Sequence, residues 1–373
     1  MNVKDASIIT HFSNITDPRI KNKIHHNLID ILVIAVCAII CGADAWKDIE
    51  VFGKAKHEWL STFLELPNGI PSHDTFGRVF SLISPKEFQE NFVQWVQAAA
   101  TVSDGQIVPI DGKTLRRSYD SASGKAAIHM VSAWASKSKL VLGQVKTSEK
   151  SNEITAIPEL LRLLDINGCI VTIDAMGCQK KIADQIVEQG GDYVLGLKNN
   201  QKNTLDATED FFKNVSEKQL DSGEVDLYIT EDNGHGRQER RSHFIAEIPE
   251  DFPNKESWRG LKTIGIVISD TQSKGRISTD CRYYLCSIDK NARQFAEAVR
   301  SHWEIENSVH WVLDVSFRED DLRVRKDNAA ENLAVLRHIA LNLLKHSSRK
   351  ASIKAKRKIA GWDNEFLAKV VWG

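Results

Sequence analysis

The chain has 373 residues, of which 42% are hydrophobic and 27% are charged, and its formal net charge is −1 at pH 7. This composition excludes a disordered chain, and the length predicts two or three domains with a large buried core. A near-neutral total neither indicates nor excludes nucleic-acid binding, because that depends on local patches of charge.

The cysteines and the N-terminus do not indicate a zinc ribbon, a secreted protein or a membrane protein. The six cysteines are scattered without a Cys-x-x-Cys pair, so reduced and mostly buried thiols are expected. The N-terminus has no secretory signal, and the apolar run 31–43 is too short to cross a bilayer. We therefore predict a cytoplasmic protein without a membrane partner.

Residues 1–100 are predicted to form an all-α N-terminal domain. The run 28–40 is apolar on nearly all sides, which is typical of a buried helix. Further helices are predicted over residues 46–64, after a turn and cap in the segment 71–80, and over residues 85–96.

The periodicity changes near residue 105, where a sheet is predicted to begin. Three strands come first, the second and third joined by a tight hairpin at 136–138, and helices and strands alternate after them. The strands are 107–110, 127–135, 139–146, 169–173 and 193–197, and the helices are 154–164 and 180–188. This order predicts an α/β fold, a mixed sheet flanked by helices on both faces. Pro109 lacks an N–H group, so a bulge or an irregular start is expected just before Asp111.

Residues 203–290 interrupt this alternation. They contain one predicted helix, 203–215, and several short strands such as 265–269 and 282–286, so we predict a mostly β insertion. A long helix resumes at about Ala292. Residues 346–373 are predicted to be a basic helical C-terminal tail, either a solvated face or a DNA contact.

Three carboxylates are placed where they could hold metal ions. Asp111 and Asp174 each follow a predicted apolar strand, and they would converge at one sheet edge if the strands are neighbours. Glu306 lies on a downstream helix that Trp303 and Trp311 are expected to anchor to the sheet. Oxygen ligands on a rigid scaffold suit Mg²⁺ or Mn²⁺, so the trio predicts a two-metal site that cuts phosphodiester bonds.

Other interpretations of these residues remain open. A single aspartate after a strand is more often a turn or helix cap than a catalytic group. His302, Glu306 and His310 share a helix face at i, i+4 and i+8 and could bind zinc, although His-Glu-x-x-His is absent. Gly112, directly after Asp111, would let a backbone or ligand approach closely.

Taken together, these segments resemble a known family. The sequence is similar to insertion-sequence transposases of the DDE type, in the H-repeat-associated subgroup. The matching segments are 17–19, 71–76, 110–116, 172–179, 195–199, 235–240, 302–320 and 328–332. The resemblance implies a DNA-associated domain over 1–100, followed in the chain by an RNase H-like catalytic domain over 101–345 with its insertion at about 203–290.

The resemblance also implies an activity and a set of partners. It assigns the family's two aspartates to Asp111 and Asp174 and its glutamate to Glu306. The implied activity is Mg²⁺- or Mn²⁺-dependent cleavage at transposon ends and joining of the freed 3′-hydroxyl to target DNA. The implied partners are double-stranded DNA and a second copy of the chain on paired ends, in a cytoplasmic, nucleoid-associated location.

One part of the family pattern is missing. Many relatives carry Tyr, Arg and Lys at three positions of the glutamate helix, where this chain has Val299, His302 and Leu313. Basic side chains elsewhere are candidate contacts to DNA phosphates. The candidates are Lys113, Arg116, Arg117, Arg237, Arg240, Arg241, Arg300, His302, Arg323 and Arg325. Two alternatives stay open, a catalytically silent transposase-derived DNA-binding protein and an RNase H-like nuclease without strand transfer.

Overall fold

The computed structural model describes residues 8–99, 105–119, 126–147, 153–234, 237–273 and 275–373. The helices are α1 (Ile8–Phe12), α2 (Leu28–Ile40), α3 (Trp46–Ala55), α4 (His57–Leu60), α5 (His73–Leu82), α6 (Pro85–Ala99), α7 (Glu153–Leu163), α8 (Lys180–Glu188), α9 (Lys202–Lys213), α10 (Glu217–Asp221), α11 (Ala292–Ile305), α12 (Trp311–Phe317), α13 (Ala329–His346), α14 (Ile353–Trp362) and α15 (Asn364–Trp372). None of these helices is long and apolar enough to cross a membrane.

The strands form one mixed sheet in the order β3-β2-β1-β4-β5-β9-β8-β7-β6. β1 pairs with β2 antiparallel and with β4 parallel, and β4 pairs with β5 parallel. This is the RNase H-like order that the sequence predicts, and the hairpin between β2 and β3 is present. The strands are β1 (Ile107–Leu115), β2 (Ile128–Ala135), β3 (Leu140–Lys146), β4 (Ile170–Ile173), β5 (Asp192–Leu197), β6 (Val225–Gly234), β7 (Arg237–Glu247), β8 (Thr263–Ser273) and β9 (Arg276–Cys286).

Both faces of the sheet are covered by helices. Along a strand, successive side chains point to opposite faces. Ile107 and Ile170 pack with Phe295 of α11 in one apolar cluster, whereas Val108 and Val171 belong to the larger core on the other face. The odd residues of β1 and the even residues of β4 therefore face α11.

The insertion extends the same sheet. β9 pairs antiparallel with β5, and β8, β7 and β6 follow it as a meander of hairpins. α11, the first helix after the insertion, contacts β1, β4 and β5 of the predicted catalytic sheet and also β6 and β7 of the insertion. The mostly β insertion is therefore present, and it is bonded edge to edge with the sheet that it interrupts.

Gly265 of the insertion lets β8 pack closely against Phe295 of α11. A Cβ atom added at Gly265 in β8 would lie 2.6 Å from the ring of Phe295, which is fully buried. We expect Gly265→Ala to lower the free energy of unfolding by about 1–3 kcal/mol, because overpacking forces the ring out of its place. Urea denaturation measures this change. Gly234→Ala is the control, since its Cβ would meet no atom within 4 Å, and an equal loss in both variants would contradict the expectation.

The basic C-terminal tail is partly internal. The Nζ of Lys356 donates to the carbonyls of Leu344 and Ser347, each at 2.9 Å, and Arg357 donates to the carbonyl of Ile39 at 2.8 Å. The guanidinium of Arg357 also lies 4.2 Å from the ring centre of Phe317. These two cations therefore fasten α14 to the rest of the fold, a role that neither sequence interpretation of the tail included.

Two local expectations about β1 are wrong. The strand does not end before Asp111 but runs on to Leu115, because β2 continues to pair with it over residues 110–115. Pro109 produces no bulge in β1, where it lies opposite Thr172 in the parallel ladder with β4. The pairing of β1 with β2 begins at Ile110, one residue later, so the missing N–H of Pro109 falls outside that ladder.

Candidate active site

Asp111 and Asp174 lie side by side on neighbouring strands. Ile110 is opposite Ile173 in the parallel ladder, so Asp111 is the next residue of β1 and Asp174 is the first residue after β4. The alternation of side chains directs both toward the face covered by α11. β4 stops before Asp174, so Asp111 stands in mid-strand with only β2 continuing beside it, opposite Ser132.

Glu306 and His310 join Asp111 from the helix above. The turn from Glu306 to His310, between α11 and α12, is π-helical, a wide turn that is frequent at functional sites. The Nδ1 of His310 lies 3.0 Å from Glu306 Oε2 and 3.5 Å from Asp111 Oδ2. One ligand atom from each of the three residues lies within 4.8 Å of the others, which is a spacing that can hold one cation.

Asp174 is directed to the same face but stands outside that ligand set. Its carboxylate caps the short turn that follows β4, accepting from the N–H of Met176 at 3.0 Å and of Gly177 at 3.4 Å. It also lines a cavity of about 650 Å³ together with Lys198 and Asn200. The structure therefore brings Asp111 and Glu306 close together. Asp174, which follows the neighbouring strand, caps a turn instead.

His302 interacts with the charges of both Asp111 and Asp174. Its Nδ1 is 3.1 Å from the Oγ1 of Thr172, which shares the α11-facing side of β4. Burial lowers the pKa of His302, and the charges of Asp111 and Asp174 oppose that shift. His302 is thus an interior neighbour of both carboxylates, and it is hydrogen-bonded to the sheet.

The carboxylate of Asp111 is buried with too little positive charge beside it to offset the cost of burial. Burial raises its pKa, and the nearby His310 and His302 offset that shift only in part. The hydrogen bond from His310, by contrast, lowers the pKa of Glu306. A desolvated carboxylate beside an ionised one favours a bound cation, and the oxygen-rich donor set fits Mg²⁺ or Mn²⁺.

Gly112 makes room for protein side chains and not for a ligand. A Cβ atom there would overlap the carboxylate of Glu153 and lie 2.5 Å from the Nε2 of His129. His129 and Glu153 are hydrogen-bonded to each other at 2.7 Å. The small residue after Asp111 therefore lets this pair pack directly against the strand.

The expectation that tryptophans anchor the glutamate helix is wrong. Trp303 and Trp311 are 44% and 57% exposed, while Ile305, Val309 and Leu313 are buried on the side that packs against the core. Leu313 stands at a position where the resemblance implied a polar residue, and it belongs to the packed side of the helix. The helix is therefore held by aliphatic side chains, and its two tryptophans face outward.

Lys113, one of the predicted DNA contacts, is largely enclosed by protein. Its ammonium is ion-paired with Asp314 and, at 2.7 Å, with Glu319, and its side chain is 11% exposed. Burial acts to lower the pKa of Lys113, but Glu319 and Asp314 outweigh it and raise the pKa. The structure thus places this cation between the carboxylates of Asp314 and Glu319.

Most of the predicted arginine contacts have a carboxylate beside them. Except for the largely buried pair of Arg241 and Glu239, these pairs involve exposed arginines and contribute little stability, so the carboxylate can be exchanged for another anion at small cost. Within the described residues, Arg323 and Arg325 form no such pair. The pairs are Arg116–Asp320 (3.3 Å), Arg117–Asp321 (3.5 Å), Arg237–Glu239 (3.4 Å), Arg240–Glu231 (3.9 Å), Arg241–Glu239 (2.6 Å) and Arg300–Asp232 (3.3 Å).

Comparison with known proteins agrees with this geometry. The family described as "Transposase DDE domain" matches residues 98–343, and the one described as "DDE_Tnp_1-associated" matches residues 9–96. The chain belongs to the DDE transposase family. The match covers the sheet, the insertion and the glutamate helix, so the resemblance stated from the sequence is confirmed.

Relatives and one solved structure extend the comparison. The "H repeat-associated putative transposase YhhI" of Escherichia coli (strain K12) is 43% identical over 98% of each chain. A segment also matches "Inactive transposase YbfQ" of the same strain, with 43% identity over 20% of this chain and 88% of that one. A piggyBac transposase synaptic complex with hairpin DNA aligns with 99% of this chain and 76% of its own, at 12% identity and a TM-score of 0.41.

His310, which lies within reach of Asp111 and Glu306, was only partly recognised in the sequence. The spacing placed His310 on the face of Glu306, but only as a ligand in the zinc alternative. The structure brings it to Asp111 instead, through the π-helical turn. A histidine four residues after Glu306 is the signal that could have indicated this contact.

Proposed function

We propose that this DDE transposase binds double-stranded transposon ends and carries out metal-dependent strand cleavage and strand transfer with Asp111, Asp174 and Glu306. The observation that supports this proposal most is the approach of Asp111 and Glu306 around His310, with Asp174 on the adjacent strand. These residues come from β1, β4 and the helix after the insertion, so the fold has to be complete for the site to form.

Each residue has a definite part in this proposal. Asp111 and Glu306 would hold a divalent cation, Asp174 would complete the carboxylate set, and His310 would orient Glu306 through its 3.0 Å hydrogen bond. A cation bound there supplies Lewis-acid stabilisation to the phosphodiester and lowers the pKa of the attacking water or 3′-hydroxyl. His302, fixed on Thr172, would exclude water from between the strands.

The wider setting follows from this activity. Transposon ends and target DNA are the proposed partners, two copies of the chain would act on paired ends, and the protein would work at the nucleoid. The zinc alternative has less support, because His302 is hydrogen-bonded to Thr172 while Asp111 takes its place beside Glu306 and His310.

Metal removal tests the proposal. We expect the purified protein to cleave and join DNA that carries the element's own ends when Mg²⁺ or Mn²⁺ is present, because the carboxylate cluster is incomplete without a cation. Gel analysis of labelled DNA, with and without EDTA, measures both steps. End binding without cleavage in either metal would indicate a silent DNA-binding protein, and hydrolysis without joining would indicate a nuclease.

A further inference from the structure

A second basic site lies away from the carboxylates, where α5 meets the chain segment that follows α12. A cavity of about 640 Å³ is lined there by Arg78 of α5 and by Arg323, Arg325 and Lys326 of that segment. Asp74 is the only acidic side chain among the described residues that line it. Cations therefore outnumber carboxylates in this cavity, in a chain whose net charge is −1.

These four cations differ in one respect from the predicted arginine contacts of the insertion. None of them forms an ion pair within the part of the chain that the structure describes, whereas Arg237, Arg240 and Arg241 each have a carboxylate nearby. The Nε of Arg325 is buried without a hydrogen-bond partner, and its guanidinium lies 5.2 Å from the ring centre of Tyr119. The guanidinium is thus held in place while one of its donors remains unused.

Cations that line the same cavity repel one another, and an anion bound between them offsets that repulsion. Arginine binds phosphate oxygens through its fork of N–H donors, and lysine binds them as a point charge. The hydroxyls of Ser72 and Thr75 on the same rim can add neutral hydrogen bonds. The groove along α11 is a poorer phosphate site, because its acidic residues, such as Glu239 and Asp232, offset its arginines.

We propose that this cavity binds backbone phosphates of duplex DNA and that Arg78 and Lys326 are two of its contacts. The choice of DNA as the polyanion rests on the proposed function. The site joins residues from the two regions matched by the family comparison, 9–96 and 98–343. A duplex bound there would contact the N-terminal helices and the segment after the glutamate helix at once.

A salt titration of DNA binding tests this site. The full-length protein and its Arg78→Gln/Lys326→Gln variant would be titrated with a mixed-sequence duplex in EDTA, by fluorescence anisotropy over a range of salt concentrations. We expect the slope of log K against log salt to fall by roughly 1.8 in the variant, about 0.9 for each lost phosphate contact. The matched control is Lys181→Gln/Lys218→Gln, which removes the same charge from exposed positions of α8 and α10 and should leave the slope unchanged.

The outcomes separate this site from the catalytic proposal. An equal slope in wild type and the Arg78→Gln/Lys326→Gln variant would overturn the proposed phosphate site. An equal fall of the slope in the control variant would also overturn it. Stabilisation of only the wild type by inorganic phosphate, with equal duplex slopes, would assign the cavity to a small anion and also overturn it. Failure of the catalytic proposal would appear as uncut DNA in Mg²⁺, which leaves the slopes measurable because cleavage plays no part in them.

Discussion

Asp111→Asn and Glu306→Gln are each expected to slow strand cleavage by about a thousandfold or more, which corresponds to about 4 kcal/mol. Both changes keep the shape of the side chain and remove the negative charge that would hold a cation. Asp174→Asn should have a similar effect on cleavage while its amide oxygen still caps the turn at Met176. Single-turnover cleavage of labelled end DNA in Mg²⁺ measures all three.

Folding and DNA binding should survive these changes. Burial raises the pKa of Asp111, so an uncharged amide removes a desolvation cost at that position. The matched control is Glu304→Gln on the same helix, because Glu304 pairs with Lys139 at 2.6 Å and does not join the cluster. Wild-type rates in Asp111→Asn or Glu306→Gln, or an equally inactive Glu304→Gln, would contradict the assignment.

Glu319→Gln is expected to lower the free energy of unfolding by about 3–5 kcal/mol. Glu319 is 2% exposed and lies 2.7 Å from the ammonium of Lys113 and 3.9 Å from the guanidinium of Arg337, itself buried. Loss of its charge leaves the buried cations of Lys113 and Arg337 with less negative charge to offset their desolvation. Urea denaturation measures the effect, with Asp321→Asn as the control.

Asp321 makes the control informative because it lies in the same turn. It pairs with Arg318 at 3.2 Å and is 46% exposed, so the change should cost less than about 1 kcal/mol. Equal losses in the two variants would show that the buried cluster contributes no more than a surface pair.

The effect at Glu319 should also depend on pH. Burial acts to raise its pKa, but the charges of Lys113, Arg337 and His338 outweigh burial and lower it. A pKa lowered in the folded state gives stability that is present above the unfolded value of about 4.3 and lost as the pH falls through the folded value. The difference between wild type and Glu319→Gln should therefore shrink below about pH 4.3.

Local patterns in the sequence were sufficient for the order of the elements. Apolar runs followed by an aspartate located β1 and β4, and the change from alternation to short strands located the insertion, because both depend on residues close in the chain. The length of β1 was missed, since 112–114 is Gly-Lys-Thr, without an apolar alternation. It is the pairing with β2 that keeps these residues extended.

Features that depend on distant residues were not predictable in this way. Lys113 pairs with Glu319, 206 positions later, and no local signal distinguishes that lysine from an exposed one. Glu306, in the π-helical turn, likewise comes close to Asp111, 306 − 111 = 195 positions earlier. The outward position of Trp303 and Trp311 reversed the usual expectation that large aromatic residues lie in a core.

The bond between β9 and β5 limits what truncation can achieve. Removal of the insertion would strip β5 of the partner that pairs with Val194 to Leu197 and leave a row of free N–H and C=O groups. An unpaired edge of this kind recruits strands from other molecules. A minimal catalytic fragment cut at the ends of the insertion should therefore aggregate, and a shortened protein that stays monomeric would have to retain β9.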